Sequence, residues 1–247
     1  ALLYITGLPH LRHVPGRWLR RDVFARFNRT YGNDTIYVSG TDDYGTASFI
    51  SAKNMNMEIN EYIKMMNGKM KDIAKRLNIN FDIFSGTNTK THEEVTCEIF
   101  NDLNKNGYIS EKESKMCYCE HDKIALADRF VYGVCPYCGY DKAYGDQCDN
   151  CGKTYDLEEL KNPKCVWCNR EAVFKNTKHL YIRLDKLQDK LKNWIDSKKD
   201  VFRPYVYNMA YKWINEGLKP RCITRDIPWG IKVPLKNFED KVFYVWF

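Results

Sequence analysis

Most of the cysteines lie in one stretch, and their spacing constrains the fold more than any other feature of the sequence. Of the ten cysteines, eight fall within residues 117–168, while Cys97 and Cys222 stand alone. Two C-x2-C pairs, each followed directly by a glycine, are formed by Cys135, Cys138, Cys148 and Cys151. Turns of this kind let both thiolates of a pair face one ion, so two pairs predict a tetrahedral four-thiolate zinc site. Such a zinc would be structural, because no coordination position is left for water or substrate.

The remaining cysteines predict a second metal site. A third C-x2-C pair is formed by Cys165 and Cys168. Its partners would have to come from residues 117–122, where Cys119 with Asp122 or His121 supplies ligands and leaves Cys117 outside. The alternative for this second site is that the chain has lost it. For the first four cysteines, the alternative is that they are buried and unpaired. Because residues 111–169 show no sustained apolar period, metal is expected to order them in place of an apolar core.

The composition is that of a chain that folds and does not enter a membrane. With 247 residues, 44% of them hydrophobic, the chain is long and apolar enough for one large core or two small ones. No apolar run reaches membrane-spanning length and no cleavable leader is evident, so a cytoplasmic location without a membrane partner is expected. In that reducing compartment, clustered cysteines indicate metal binding and not disulfides. The net charge of +7 favours a polyanionic partner such as nucleic acid.

Alternating strands and helices predict a parallel α/β layer at the N-terminus. Runs of β-branched and aromatic residues indicate strands at 2–6 and 34–40, and apolar spacing indicates a helix ending near Arg29 and another at 60–77. Strand, helix, strand, helix in this order is typical of a parallel sheet. Farther along, the sequence predicts a helix at 91–103, a strand at 178–182, a helix capped by Asp185, and a helix at 207–216 that stops at Gly217.

Two groups of polar residues follow the predicted N-terminal strands. His10 and His13 would lie on the same side of a helical turn, where imidazoles and free backbone amides suit a phosphate. Asp42 and Asp43 belong to the run G-T-D-D-Y-G-T at 40–46, directly after the second strand. Parallel α/β folds bind ligands at this carboxyl edge, and paired carboxylates there suit an ammonium, a hydroxyl or a metal. The alternatives are two ordinary surface histidines and a solvated turn.

Longer segments of the sequence resemble a known family. The segments are A-L-L-Y-I-T-G-L-P-H-L-R-H at 1–13, G-T-D-D-Y-G-T at 40–46, D-R-F-V-Y-G-V-C-P at 128–136, G-D-Q-C at 145–148, E-L-K-N-P at 159–163, W-I-N-E-G-L-K-P-R-C-I-T-R-D at 213–226 and F-E-D-K-V-F-Y-V-W-F at 238–247. They are similar to the class I methionyl-tRNA synthetases over essentially the whole chain. That family's lysine-rich K-M-S-K-S loop and helical anticodon-binding domain would lie beyond Phe247. Because both ends of the chain also lie inside apolar runs, we expect a catalytic-domain fragment.

The resemblance implies a Rossmann-like parallel sheet that is interrupted by a connective insert carrying zinc knuckles. Residues 1–105 would form the first half of the catalytic domain, 106–240 the insert with knuckles at about 115–172, and 241–247 the first strand of the returning half. The implied enzyme is a methionine–tRNA ligase, which activates methionine with ATP and Mg²⁺ and transfers it to the 3′ end of tRNA(Met). Two alternatives stay open: a class I synthetase for another amino acid, and a non-catalytic zinc-ribbon protein that binds nucleic acid.

The resemblance also implies roles for individual residues. His10 and His13 would stabilise the phosphates of ATP, and Arg225 would act as a charge clamp during activation. Asp43 would hold the α-ammonium of methionine. The thioether of methionine would lie in a pocket lined by Leu2, Tyr4 and Trp246. For the two aromatic residues of this pocket, the alternative is plain core packing.

The N-terminal segment departs from the family pattern at several positions. Leu3 occupies the place of a proline, and Arg12 the place of a glycine that lets adenine lie against the backbone. An arginine there would either block ATP or point away from it. The segment 14–21 is bulky and basic for the family, and its Pro15-Gly16 pair predicts a break in the helix.

Overall fold

The chain consists of two compact units. The computed structural model describes residues 2–10, 13–126, 128–145 and 147–247, without the side chains of Thr46 and Asp128. The first unit covers Ala1–Glu94 and the second covers Val95–Phe247. Arg12 lies outside the described residues, whereas Leu3 is buried within the first strand.

A parallel sheet forms the centre of the first unit. Its three strands, in spatial order, are β1 (Leu2–Tyr4), β2 (Val38–Asp42) and β3 (Ile83–Gly86). The predicted parallel α/β layer is therefore confirmed, although the sequence pattern did not indicate β3. The second strand begins at Val38 and not at residue 34, because the Tyr37 N–H donates to the Asp82 carboxylate and not to a neighbouring strand.

Helical elements follow β1 and β2 in the first unit. They are a π-helical segment at Val14–Leu19, α1 (Arg20–Thr30), α2 (Thr46–Asn54) and α3 (Ile59–Arg76). The Glu58 carboxylate caps α3 by accepting the N–H groups of Asn60 and Glu61. Residues at helical spacing form the buried face of α3, namely Tyr62, Ile63, Met66, Met70 and Ala74. The predicted helix at 60–77 is thus confirmed.

The predicted helix break at Pro15-Gly16 is wrong. Both residues lie in the first turn of the π-helical segment, where a proline removes no hydrogen bond that the helix needs. The segment is anchored by Trp18, whose side chain is fully buried. The Trp18 carbonyl oxygen also accepts a hydrogen bond from Tyr37 Oη at 2.9 Å.

The second unit is built mainly from antiparallel strands. Its first element is the C-terminal part of α4 (Lys90–Lys105). The strands are β4 (Ile109–Cys119), β5 (Ile124–Leu126), β6 (Val131–Val134), β7 (Ala143–Tyr144), β8 (Lys161–Cys165), β9 (Val173–Ile182), β10 (Arg221–Cys222), β11 (Thr224–Arg225) and β12 (Val242–Phe243). The helical elements are α5 (Leu184–Asp196), α6 (Pro204–Glu216) and the 3₁₀ turns Asp128–Phe130 and Leu157–Glu159. The strands form sheets in the orders β10-β9-β4-β5, β7-β6-β8 and β11-β12. Nowhere in the described ranges is a helix both long and apolar enough to span a membrane.

The strands β4 and β9 form a long antiparallel ribbon, and β4 covers the start of the segment that metal was expected to order. The two strands pair over ten residues, from Ile109 opposite Ile182 to Tyr118 opposite Val173. The expectation that metal orders residues 111–169 is therefore wrong for 111–119, where backbone pairing supplies the order. Serine, lysine and glutamate dominate β4, so the strand shows no apolar alternation by which the sequence could reveal it.

The ends of α5 and α6 test two capping predictions. Capping of α5 by Asp185 is wrong, because the helix begins at Leu184 with Arg183 as its N-cap. The Asp185 carboxylate instead accepts hydrogen bonds from the Arg183 guanidinium, at 2.8 Å from Nε and 2.6 Å from Nη2. The stop of α6 at Gly217 is confirmed, since this residue has a φ of 81°, which glycine adopts without strain.

Candidate functional site

Asp43 lies buried at the carboxyl end of β2, at the edge of the parallel sheet. The residue is only 1% exposed. Its Oδ2 atom accepts the Asn88 N–H at 2.7 Å, and its own N–H donates to Thr87 Oγ1 at 2.8 Å. Both partners belong to the loop that follows β3. The carboxylate is therefore held at the sheet edge that the sequence pattern indicates, between the ends of two neighbouring strands.

The carboxylates of Asp42 and Asp43 at this edge are only partly hydrogen-bonded. Asp42 Oδ1 and Asp43 Oδ1 are buried, and neither has a hydrogen-bond partner among the described residues. Burial raises the pKa of Asp42 to about 6, and the adjacent Asp43 adds to this effect. Burial also raises the pKa of Asp43, although the Asn88 N–H and the Thr41 hydroxyl oppose the change. A cationic ligand would relieve the cost of this buried negative charge, so the edge favours a cation.

Two glycines of the parallel sheet permit close packing near this edge. A Cβ on Gly86 would overlap Asp43 Oδ2 and would lie 2.8 Å from Thr41 Oγ1. A Cβ on Gly40 would lie 2.6 Å from the Ser85 carbonyl oxygen of the neighbouring strand. Gly86 therefore leaves the space that the Asp43 carboxylate occupies, and Gly40 allows β2 and β3 to lie close together.

Sequence reasoning gave no role to three residues near Asp43, namely Tyr44, Asn88 and His92. Tyr44 Oη donates to Asn88 Oδ1 at 3.1 Å, and the rings of Tyr44 and His92 stack with centroids 6.1 Å apart. His92 Nε2 is buried and has no hydrogen-bond partner in the part of the chain that is described. Burial lowers the pKa of His92, although Asp43 opposes this shift. The turn-forming run G-T-N-T at 86–89, directly after a strand, is the signal that could have indicated this loop.

His10 and His13 face each other, as the sequence predicts. Their rings stack with centroids 3.9 Å apart, and the His13 N–H donates to the His10 carbonyl oxygen at 2.9 Å. His10 is exposed, whereas His13 is half-buried and forms the N-cap of the π-helical segment. Leu11 and Arg12, which separate them, lie outside the described residues. The start of this helical segment thus presents a solvent-accessible pair of imidazoles.

Leu2 and Tyr4 lie on an open face of β1. They are 45% and 52% exposed, while Leu3 between them is buried. Tyr4 is the register partner of Asp42 in the parallel pair. The core-packing alternative is therefore wrong for Tyr4, and both side chains are accessible to a ligand.

Arg225 and Trp246 belong to the second unit. The Arg225 guanidinium carbon lies 4.6 Å from the centre of the Tyr244 ring, and Nη1 donates to the Thr224 carbonyl oxygen at 3.0 Å. Trp246 follows β12 and is 59% exposed, so the core-packing alternative is wrong for this residue as well.

The first cysteine set forms the compact cluster that its spacing predicts. The Sγ atoms of Cys135, Cys138, Cys148 and Cys151 all lie within 4.8 Å of one another. Gly139 and Gly152, with φ of 75° and 72°, follow the two pairs. The N–H of each glycine bonds back to the carbonyl oxygen of the first cysteine in its pair. Because a side chain would be strained at these angles, glycine permits the tight turn that directs both thiols to one point.

The second cluster contains Asp122 and not His121. Its ligand atoms, which all lie within 4.8 Å of one another, come from Cys119, Asp122, Cys165 and Cys168. Asp122 Oδ2 lies 3.0 Å from Cys165 Sγ, and His121 Nδ1 lies 3.2 Å from the other oxygen, Oδ1. His121 thus contacts the carboxylate from outside the cluster. Cys117 is buried outside both clusters, as expected, and burial raises its pKa to about 12.

Both clusters could hold a metal ion. Four thiolates, or three thiolates with one carboxylate, match the donors and the coordination number that zinc prefers. With four protein ligands each, these sites would stabilise the second unit and would leave no open position for substrate.

Comparison with known protein families agrees with this fold. The family described as tRNA synthetases class I (M) matches residues 1–247. The chain belongs to this family. The resemblance seen in the sequence motifs and the predicted fold class are both confirmed by this match.

Several methionine–tRNA ligases are similar to the whole chain. The chain is 43% identical over 249 residues to "Methionine--tRNA ligase, cytoplasmic" of Homo sapiens, covering 100% of the chain and 28% of that protein. It is 41% identical over 248 residues to "Methionine--tRNA ligase 1" of Acaryochloris marina, covering 100% of the chain and 44% of that protein. For the "Methionine--tRNA ligase" of Aeropyrum pernix the identity is 40% over 244 residues, with coverage of 99% and 42%. The chain therefore spans less than half the length of these relatives.

A solved structure supports the fold. The Mycobacterium tuberculosis methionyl-tRNA synthetase bound by methionyl-adenylate matches 100% of this chain and 44% of that chain, with a TM-score of 0.71 and 22% identity. At this level of identity, the likeness is evidence for the architecture alone.

Proposed function

We propose that the chain is the catalytic part of a methionine–tRNA ligase. Methionine and ATP would first give methionyl-adenylate and pyrophosphate, and the methionyl group would then pass to the 3′-terminal adenosine of tRNA(Met) with release of AMP. Family membership, together with relatives of this name that are about 40% identical across the whole chain, supports the proposal. The single observation that carries it is the buried Asp43 carboxylate at the carboxyl edge of the sheet, one oxygen of which has no hydrogen-bond partner among the described residues.

Adenylate formation would depend on alignment and on charge stabilisation. The methionine carboxylate is already a nucleophile toward the α-phosphate, so this step requires little proton transfer. His10 and His13, stacked at the start of a helical segment, would stabilise the negative charge on the phosphates of ATP. Mg²⁺ would enter with ATP, and Arg225 would contribute a further positive charge, a role that rests on the family resemblance.

Asp43 would bind the α-ammonium of methionine. The Asn88 N–H occupies Oδ2, which leaves Oδ1 available for the substrate. An ammonium at this oxygen converts an uncompensated buried charge into an ion pair, so the site would require a free α-amino group.

The side chain of methionine would contact Leu2 and Tyr4, and by family resemblance Trp246. The first two share the open face of β1, and each of the three is about half exposed. Aromatic rings interact favourably with a thioether sulfur, and shape would select an unbranched side chain.

The two cysteine clusters would bind zinc as a structural metal. The ligands of the first ion would be Cys135, Cys138, Cys148 and Cys151, and those of the second would be Cys119, Asp122, Cys165 and Cys168. Neither ion would take part in the reaction, because four protein ligands saturate a tetrahedral zinc.

The proposal also covers the domain organisation, the binding of tRNA and the location in the cell. Residues 1–105 would form the first half of the catalytic domain, 106–240 the connective insert and 241–247 the start of the returning half. The net charge of +7 suits binding of tRNA(Met), and the enzyme would act in the cytoplasm.

Pyrophosphate exchange tests the proposed function. The full-length protein is assayed for exchange of labelled pyrophosphate into ATP with each of a panel of amino acids. Exchange that depends on methionine supports the proposal. Dependence on another amino acid would identify a synthetase of different specificity, and no exchange with any of them would favour the non-catalytic zinc-ribbon alternative.

Methionine affinity is expected to fall as the pH is lowered through the raised pKa of Asp43. Below that pKa the carboxyl is neutral and must lose its proton before it can pair with an ammonium. The dissociation constant should therefore rise about tenfold for each pH unit below this pKa and become constant above it. Calorimetry in buffers of different ionisation enthalpy measures the affinity and the released proton. Affinity that is unchanged down to the ordinary carboxylate range would contradict the role of Asp43.

Gly86→Ala is expected to weaken methionine binding without unfolding the protein. The added Cβ overlaps Asp43 Oδ2, so the carboxylate must move. Overpacking of this kind costs about 1–3 kcal/mol, which corresponds to about 5- to 150-fold in affinity if the cost falls on the site. The matched control is Gly68→Ala in α3, where a Cβ would meet nothing within 4 Å. Equilibrium methionine binding compares the two variants, and equal affinities would show that the Asp43 carboxylate is not the binding group.

A further inference from the structure

A buried network of charged side chains lies beside Arg225, and the proposed chemistry does not use it. Its centre is Asp226, whose side chain is only 11% exposed. Asp226 Oδ2 lies 2.9 Å from His179 Nε2. Asp226 Oδ1 forms an ion pair with Lys241 Nζ and accepts a hydrogen bond from Thr177 Oγ1 at 3.3 Å. Every oxygen of this carboxylate is therefore engaged within the second unit.

The network joins three separate segments of the second unit. Asp226 directly follows β11, His179 and Thr177 lie in β9, and Lys241 directly precedes β12. The residue on the other side of Arg225 is tied to the same place, because Thr224 Oγ1 lies 2.8 Å from His179 Nδ1. Both chain neighbours of Arg225 thus contact one imidazole of β9, and Thr224 Oγ1 also accepts the Leu180 N–H of that strand at 3.1 Å.

Arg225 depends on these neighbours for its position. The strand β11 has only two residues, which pair with two residues of β12. The Arg225 side chain borders a cavity of about 270 Å³, so close packing does not hold it on that side. Its observed contacts are the face of the Tyr244 ring and the Thr224 carbonyl oxygen. The residue before β11 is bonded to β9 through the backbone, because the Ile223 N–H donates to the Leu180 carbonyl oxygen at 2.9 Å. After β11, the Asp226 side chain supplies the link to β9, so the network fixes that end of the strand.

The network is suited to fixing one geometry. Burial alone would raise the pKa of Asp226, but hydrogen bonds from His179 and Lys241 hold it below its usual range, so the carboxylate is ionised. Desolvation offsets most of the attraction within a buried ion pair. The hydrogen bonds of the network, by contrast, are strongly directional, so they define where each strand lies.

We propose that Asp226 is a positioning residue for adenylate formation, which acts through His179 and Lys241 to hold β11 and thereby the Arg225 guanidinium. The inference rests on the proposed function and on the role of Arg225 within it. Asp226 itself touches no substrate in this account.

A double-mutant cycle in the full-length protein tests the inference. Asp226→Asn removes the charge and keeps the shape of the side chain. We expect the turnover of methionine-dependent pyrophosphate exchange to fall by at least about tenfold, while the dissociation constant for methionine changes by less than about twofold. In an Arg225→Ala background, Asp226→Asn should change turnover by less than about twofold, because the guanidinium that Asp226 positions is already absent. An equal loss in both backgrounds would indicate a merely structural role and would overturn the inference.

Two further variants make the cycle decisive. Thr177→Val removes one hydrogen bond and leaves all charges, so it replaces Asp226→Asn in the cycle if that variant does not fold. It should lower turnover about two- to fivefold with Arg225 present and not in its absence. Asp185→Asn removes a carboxylate that pairs with Arg183 at the surface, and its turnover should match that of the wild type. If Arg225→Ala slows turnover and neither network variant does, the inference alone fails. If Arg225→Ala retains full turnover, the proposed role of Arg225 fails as well.

Discussion

Methionine binding is expected to weaken by tens- to thousands-fold when Asp43 is replaced by alanine. Loss of one partner from a desolvated charge pair costs about 2–5 kcal/mol, and Asp43 is a buried carboxylate with one oxygen free for the ammonium. The ATP requirement should change far less, because this carboxylate would touch no phosphate. Equilibrium dialysis with labelled methionine, and titration of pyrophosphate exchange with ATP, measure the two effects separately.

Two other variants give the contrast that makes this prediction specific. His10→Ala should slow adenylate formation and leave methionine binding nearly intact, because its interaction grows only as charge builds on the transferring phosphate. Asp72→Ala removes an exposed carboxylate of α3 in the same unit and should change neither quantity. Normal methionine binding by Asp43→Ala would show that the amino-acid site lies elsewhere.

The second large effect is expected from Cys148→Ala, which should unfold the knuckle region of the second unit. Cys148 is fully buried in the four-cysteine cluster, so its loss leaves three thiols around one position. Binding of a structural zinc contributes about 10–16 kcal/mol in small zinc domains, which exceeds what a region with little apolar core can replace. Hydrogen exchange should show lost protection between β6 and β8, with protection in β1–β3 retained.

The metal content and a matched cysteine complete this test. Elemental analysis of the wild-type protein should give between about one and two equivalents of zinc per chain, and chelation should reproduce the exchange pattern of Cys148→Ala. Cys97→Ser alters a half-buried cysteine of α4 outside both clusters and should keep the full metal content. Less than about half an equivalent in the wild type would show that these thiols do not form a zinc site.

Local sequence patterns predicted those elements whose stability is local. The helix α3 could be read from apolar residues at helical spacing, because these residues form its buried face. The strand β4 could not, because its side chains are largely polar and its order comes from a partner more than fifty residues away in the chain, since Ile109 pairs with Ile182. The same limit applies to Asp185, which resembles an N-cap in the sequence but is engaged by Arg183 in the structure.

The arrangement of the candidate site could likewise be predicted only in part. The position of Asp42 and Asp43 at the carboxyl edge of the sheet could be predicted because both follow a recognisable strand, and this edge of a parallel sheet is a common ligand site. Asn88 could not be linked to Asp43, because their 2.7 Å contact exists only once two parallel strands have been brought side by side. The raised pKa of Asp43 likewise follows from burial, which no local pattern reveals.

The candidate metal ligands of the four-cysteine cluster could be read from the sequence alone, since a C-x2-C turn with glycine brings two thiols together through its local backbone geometry. The family could also be recognised from the sequence, because its motifs are runs of consecutive residues that can be compared without any knowledge of their contacts. The choice between Asp122 and His121 required the folded structure, because it depends on how β4 and β5 place their connecting loop near Cys165. The network around Asp226 was equally beyond the sequence, since its members lie far apart in the chain and meet only when β9, β11 and β12 are assembled.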